Sequence, residues 1–357
     1  MTTCRCARNF PEVQNFREVA WFVLFAWPVL QLISCTSPAP QPITPAFFCW
    51  QTSLSLSPAQ LDYLNKIPCK KLYVKIADIG LEAGSGAIIP YAQLQIKDTS
   101  CLSGFEIVRV VFITNEVFRQ ISSAEMEQLA EKIAAAEALF HFSDQVAQQF
   151  EFQVDCDWTN STRESFFQFL KTLRLKLPAG VCLSATIRLH QYKFPERSGV
   201  PPVDRGMLMC YNTGDIDDAK TINSILDLDE VRKYIHGAAK KYPIALDLAL
   251  PVFSWTLVYR GDELWKIIPG DHDDIPLGVL KKGTFLAGHY LRPGDLLRRE
   301  IISADLLKKA AQLAATIDLA DDATLAFYHL DSTTLSNYPV QLIDAVCKIV
   351  DSTRVIH

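Results

Sequence analysis

Nothing in this sequence supplies an excess of positive charge. Lys and Arg number 35 against 40 Asp and Glu, and the net charge is -5. Such a chain cannot neutralise a row of phosphates, which excludes a generally basic nucleic-acid binder. Blocks of like charge are missing too, and aromatic residues reach 10%, so the chain is not disordered. Glycine (15) and proline (19) are at ordinary levels, which removes fibrous and low-complexity classes. Neither a Gly-x-Ser-x-Gly elbow nor a His-Glu-x-x-His pair occurs, so serine-hydrolase and zincin chemistry have no support. Gly84-Ser85-Gly86 leads into no helix and no Lys, so it is not a phosphate loop. What is present is apolar: 49% of 357 residues, enough for one large core or two smaller ones.

The N-terminus carries a leader pattern. Arg5, Arg8 and Arg17 precede the apolar run Val19 to Leu30, which holds Pro28 and falls short of the ~20 residues of a membrane span. Leu32-Ile33-Ser34-Cys35 is similar to a bacterial lipobox, whose Cys is lipidated and becomes the first mature residue. The pattern predicts a signal peptide over 1–34, a lipid anchor on Cys35 and a flexible tether over 35–45. An uncleaved anchor helix is the alternative. Thr36 and Ser37 after the Cys carry no retention signal, so the bacterial outer membrane is the expected location.

Once Cys4, Cys6 and Cys35 are set aside, Cys49, Cys69, Cys101, Cys156, Cys182, Cys210 and Cys347 remain. An odd set without a C-x-x-C pair describes neither a disulfide scaffold nor a zinc site. Most lie in apolar runs, where a thiol behaves as a small buried hydrophobe.

Strand-like and helix-like segments alternate along 46–357. Strands are expected at Ala46–Gln51, Leu72–Ala77, Glu106–Ile113, Phe150–Trp158, Val181–His190, Gly206–Tyr211, Pro243–Phe253 and Leu325–Leu330. Helices are expected from Ser57, over Ser123–Leu139 and Thr162–Leu175, around Asp229–Lys241, from Ala304 and over Gln341–Ile349. Eight strands separated mostly by helices predict an α/β fold, a (β/α)8 TIM-type barrel with an insertion at about 261–319 between strands seven and eight. An open doubly wound sheet is the alternative, but it buries polar strand faces poorly.

Two strands have such faces. In Phe152 to Thr159 the period of two sets Gln153, Asp155, Asp157 and Thr159 opposite Phe152, Val154, Cys156 and Trp158. In the next strand Ser184, Thr186, Arg188 and His190 share one side. Adjacent strands would bring Asp155 and Asp157 to Arg188 and His190, as a structural ion network or a catalytic one. Trp50, Trp158, Tyr211, Trp255 and Tyr328 fall toward one rim, where they serve either sugar stacking or core packing. His329 and Asp331 share a face of the last strand and are candidates for the same lumen. Asp271-His272-Asp273-Asp274 reads as a solvated turn, and Asp215-Ile216-Asp217-Asp218 lacks calcium-loop spacing. No motif asks for a metal or cofactor.

The segment Val154-Asp155-Cys156-Asp157-Trp158 resembles the fourth-strand signature D-G-x-D-x-D-W-E of family 18 glycoside hydrolases, the chitinase-like barrels. Met209-Cys210-Tyr211-Asn212 is similar to that family's sixth-strand M-x-Y-[DN], and Ala249–Phe253 to its seventh strand. The chain also resembles envelope lipoproteins of the Bacteroidetes type, through segments such as Arg188-Leu189-His190-Gln191 and Gly199 to Gly206. The first resemblance implies a glycan ligand. It implies that Asp157 and Tyr211 support a substrate acetamido group, with Asn212 beside them. It also exposes a departure, because the family's acid Glu is Thr159 here, and a Thr has no proton to give near neutral pH. Asp155, Asp157, Glu116 and Asp331 remain as candidate acids. Two expectations follow: a glycosidase working by a non-standard route, or a binding or structural lipoprotein without turnover.

Overall fold

The computed structural model describes residues 41–96, 100–139, 150–237, 241–331 and 333–354. The expected leader, Cys35 and the start of the tether lie outside these residues. Eight parallel strands form the centre: β1 (Thr44–Cys49), β2 (Lys71–Leu81), β3 (Glu106–Ile113), β4 (Glu151–Asp155), β5 (Cys182–Arg188), β6 (Arg205–Met209), β7 (Ala245–Pro251) and β8 (Thr324–Tyr328). Each pairs with the next in sequence order. Phe47 of β1 lies in register with Phe327 of β8, which closes the sheet on itself. The result is a (β/α)8 barrel. Closure gives each barrel strand a neighbour on both sides, so the barrel itself has no free edge.

The helices form where the sequence caps them. Ser57 accepts from the Gln60 amide while Gln60 returns a bond to the Ser57 amide, opening α1 (Pro58–Lys66) with Pro at its first turn. Ser122 and Glu125 make the same reciprocal pair ahead of α2 (Ser123–Leu139). In α3 (Arg163–Lys176), Phe166, Phe169, Leu170 and Leu173 sit at helical spacing and are buried. Asp227 caps α4 (Leu228–Ile235), and Ser303 caps α5 (Ala304–Ala314), which lies beside α6 (Val340–Arg354). No described helix is long and apolar enough to cross a membrane.

The segment between β7 and β8 adds an antiparallel sheet. Its strands are Trp255–Arg260, Glu263–Pro269, Gly278–Val279 and Leu296–Glu300, with a hairpin of Thr284–Leu286 and His289–Leu291. Val258, Ile268, Leu280, Leu286, Leu291 and Leu297 give it a small core of its own. Buried Glu300 ties it to the barrel, accepting from the Ser224 amide at 2.8 Å, the Ser224 hydroxyl at 2.7 Å and the Trp255 indole at 2.8 Å.

Six expected strands end two or three residues early, and two of them bear on the site. β4 stops at Asp155 and not at Trp158, because the backbone turns at Cys156 to Thr159 to enter α3; the Thr159 amide bonds to the Thr162 hydroxyl at 2.9 Å. β5 stops at Arg188, and His190 lies in a short helix, Leu189–Lys193. Asp157, Thr159 and His190 are therefore not lumen residues.

The N-terminal end of the barrel holds a separate charge network. Arg205 bonds Asp247 at 2.6 Å and Asp322 at 2.7 Å, while Lys71 bonds Glu106 at 3.1 Å and Glu151 at 3.3 Å. Ser184 adds a bond to Glu151 at 2.6 Å. Charge pairs at this end serve a barrel's stability, since catalytic groups sit at the opposite end.

Candidate functional site

The C-terminal strand ends open into a cleft of about 380 Å³, lined among others by Asp157, Thr159, Arg188, His190, Tyr211 and Asn212. Its electrostatic centre is one ion pair. Arg188, the last residue of β5, donates from Nε to Asp157 Oδ1 at 2.5 Å and from Nη2 to Oδ2 at 2.8 Å. Two parallel bonds fix both planes, the geometry a guanidinium makes with a carboxylate. Burial works against the Arg188 charge, but the hydrogen bonds and charge of Asp157 outweigh it and raise its pKa.

Gln191 holds the two strand exits together. Its Oε1 accepts from the Arg188 amide at 2.8 Å and its Nε2 donates to the Trp158 carbonyl at 2.9 Å. One buried side chain thereby spaces Asp157 from Arg188. His190, beside this pair, has its pKa lowered by partial desolvation and then by the Arg188 charge, which keeps the ring neutral.

Asp155 lies one layer deeper. It ends β4, is buried, and accepts from the Thr186 hydroxyl at 2.6 Å. Burial first and the Asp157 charge second push its pKa up to about 6, while Arg188 and Thr186 pull the other way. Asp155 stands in register with Phe112 of β3, and Phe112 with Asp78 of β2. Asp78 pairs with Lys75 at 2.7 Å, and the Lys75 ammonium lies 4.8 Å from the centre of the Trp50 ring.

Tyr211 follows β6. Its ring stacks on Tyr328 at 5.1 Å between centres and 25° between planes, and its buried hydroxyl has no partner among the described residues. Asn212 turns the chain with φ 53°, a left-handed conformation that Asn tolerates better than most residues. Trp50, Phe253 and Tyr328 complete an aromatic cluster, with Trp50 5.4 Å and Phe253 5.6 Å from Tyr328.

The expected ligand-facing residues therefore separate into two groups. Asp157, Arg188, His190, Tyr211 and Asn212 meet at the cleft, with Trp50 and Tyr328 behind them in the aromatic cluster. Trp158 borders the cleft but its ring is core: it is 1% exposed, stacks on Phe166 at 5.2 Å and donates to the Ser198 carbonyl at 3.1 Å. Trp255 spends its indole N–H on Glu300 and packs on Phe253 at 5.3 Å. Asp331 caps a turn, accepting from the Thr333 amide at 2.8 Å and the Thr334 amide at 2.9 Å, so it is not a free acid. His329 is half-buried with Nδ1 unpartnered among the described residues, and burial lowers its pKa. Glu116 is exposed on the segment after β3 and does not line the cleft. Lys75, Asp78, Thr213 and Tyr234 belong to the site region without any sequence signal that marked them, whereas Thr186 lies on the polar face expected for its strand. Among the described residues no cluster of three or more His, Cys, Asp or Glu is placed to hold a metal.

No family model and no curated protein matches the sequence. Solved structures do match the fold. The spore cortex-lytic enzyme SleL of Bacillus cereus is similar at TM-score 0.53 and 12% identity, over 86% of this chain and 74% of that one. A chitinase from Bacteroides thetaiotaomicron is similar at TM-score 0.51 and 12% identity, over 87% and 97%. A chitinase from Chromobacterium violaceum is similar at TM-score 0.50 and 14% identity, over 85% and 99%. At such identities the shared property is the fold, a chitinase-like TIM barrel.

Proposed function

We propose that this protein is an envelope lipoprotein, anchored through Cys35 in the outer membrane, that binds a glycan in the cleft at the C-terminal strand ends. The observation that carries the reading is the bidentate Asp157–Arg188 pair standing beside Thr159, in a barrel shaped like those of chitinases. A fixed carboxylate and guanidinium offer acceptors and donors to vicinal hydroxyls, and Asn212 adds an amide to the same wall. The unpartnered Tyr211 hydroxyl gains a partner when a polar ligand group enters.

Turnover lacks a donor. Glycosidic cleavage needs a protonated acid at the leaving oxygen and a second group at the anomeric carbon. Thr159 has no such proton, Asp157 is committed to Arg188, and buried Asp155 is committed to Thr186. Binding without hydrolysis is the reading this favours. A non-standard hydrolase is the second reading, favoured by the raised pKa of Asp155 alone.

The test is a titration of the protein with N-acetylglucosamine oligomers and a panel of other glycans, with reducing-end release measured in parallel. Saturable binding that falls in Asp157→Asn and Tyr211→Phe, without release of reducing ends, is the expected result. Release that disappears in Asp155→Asn establishes the hydrolase instead, and no glycan bound by the parent protein ends both readings.

A further inference from the structure

In a (β/α)8 barrel each strand is followed by a helix that covers the outer wall. The connection from β2 to β3 departs from that rule. Its described residues form a strand, Ile88–Gln93, paired back onto the end of β2, a two-residue strand Gln95–Ile96, and a single 3-10 turn, Ser100–Leu102; none of them is α-helix. The outer wall of β2 and β3 is left between this hairpin on one side and α2 on the other. A cavity of about 580 Å³ fills the slot, larger than the strand-end cleft.

The walls are apolar. Ile76 and Ile79 of β2, Val111 of β3, Leu129 and Ile133 of α2 and Ile88 of the hairpin face the space. Three polar side chains reach its rim without closing it: Lys132 and Gln128 of α2, and Gln93. Glu125 also lines the cavity, but its carboxylate is held by the Ser122 amide at 2.9 Å and hydroxyl at 2.5 Å. Lys132 is exposed and has no ion pair among the described residues. Among the described residues the rim thus presents a cation without an ion pair, a carboxylate already held by Ser122, and two amides to an apolar interior.

We propose that this slot binds a free long-chain fatty acid, with its hydrocarbon tail along Ile76, Val111 and Ile133 and its carboxylate at Lys132. Volume decides against a docked helix. A helix about 10–12 Å across and 5.4 Å per turn occupies about 500 Å³ per turn, so the slot holds little more than one turn. A single flexible chain fits a volume of this order, which is the size of ordinary small-ligand pockets. Charge decides the head group, because a carboxylate pairs with Lys132 while Glu125, the other charged group of the described lining, is held by Ser122. The proposal stands independently of the glycan cleft at the strand ends.

The test uses the delipidated full-length chain and the fluorescent fatty acid cis-parinarate, displaced by palmitate or by hexadecanol. Saturable binding and displacement by both are expected for the parent protein. Lys132→Glu, an exposed change that leaves the core alone, weakens parinarate by about tenfold or more and spares hexadecanol. Ile133→Trp fills the slot and removes both, with its melting curve checked against the parent. Failure of the parent to bind, or equal binding by Lys132→Glu, overturns the proposal. So does binding that arises only when residues 140–149 are deleted, since the slot then takes the chain's own segment. Capture by phosphatidylglycerol vesicles without free parinarate binding overturns it as well, by assigning Lys132 to a membrane surface.

Discussion

Arg188 grips Asp157 through two parallel hydrogen bonds and so locks the exit of β4 to the exit of β5 at the mouth of the barrel. The pair is partly solvated: the Asp157 side chain is 49% exposed and that of Arg188 22%. A pair of this kind contributes about 1 kcal/mol or less to stability, in contrast to ~3–5 kcal/mol when a fully buried partner is removed. Asp157→Asn is therefore expected to melt within a few degrees of the parent. Its glycan affinity is expected to fall by about tenfold or more, the scale of a charge-assisted hydrogen bond. Differential scanning calorimetry beside a glycan titration measures both. A steep melting loss in a parent that binds no glycan would make the pair a structural clamp.

Asp155 makes a pH prediction whose sign is fixed by its environment. Its carboxyl is raised from 3.8 to about 6, mainly by burial, so the folded chain binds more protons than the unfolded one between those values. Stability contributed by this group is fully present below about pH 4 and is lost as pH rises toward 6. The change amounts to about 3 kcal/mol across that window, as an order of magnitude. Asp155→Asn removes the titration, so the difference in urea midpoint between parent and variant is expected to slope from pH 4 to 6 and to flatten above it. A difference that is constant with pH contradicts the assignment of the raised group to Asp155.

The barrel was legible because its strands alternate with capped helices, and signals such as Ser57-Pro58 and the Ser122–Glu125 pair mark where those helices begin. The strand ends were not. In Cys156 to Thr159 the period-two pattern runs on after the backbone has left the sheet, so Asp157 reads as a lumen residue and Trp158 as a rim aromatic. Packing on Phe166 of α3 takes Trp158 into the core, a contact that the strand pattern alone does not carry. Lys75 and Asp78 were hidden for another reason. A register shift between Lys75 and Ala77 moves the faces of β2, and the strand continues past Ala77 to Leu81. Asp331 looked like a free acid because a turn cap and a catalytic carboxylate have the same side chain.

The proposed anchor predicts a change of location. In that proposal the Leu32-Ile33-Ser34-Cys35 junction would supply the thiol for lipidation, and the Ser/Pro-rich residues 35–45 the tether. A diacylated Cys anchors firmly because two acyl chains exceed the marginal membrane affinity of one. Cys35→Ala is expected to leave the membrane fraction or to retain its unprocessed leader. Fractionation with N-terminal sequencing reads both, and an unchanged pattern contradicts lipidation at Cys35.

The opposite end of the barrel is the control for all of these. Arg205 spans Asp247, whose side chain is 1% exposed, and the more solvated Asp322. Asp247 is held by Arg205 and by the Thr324 amide at 2.6 Å, while burial and the charge of Glu151 raise its pKa. Arg205→Met keeps the apolar stem and removes the guanidinium, which leaves the buried Asp247 carboxylate without its cation. That is expected to cost about 3–5 kcal/mol, unless the carboxylate takes up a proton instead. Proton uptake makes the loss smaller at low pH, so the penalty is expected to shrink as pH falls below 6. Because the network is at the N-terminal face, the fraction that remains folded is expected to bind glycan with parental affinity. A chemical-denaturation series at pH 5 and pH 8, with a glycan titration at each, separates the two ends. Equal stability loss at both pH values, or weakened glycan binding in the folded fraction, contradicts the division of labour between the two faces.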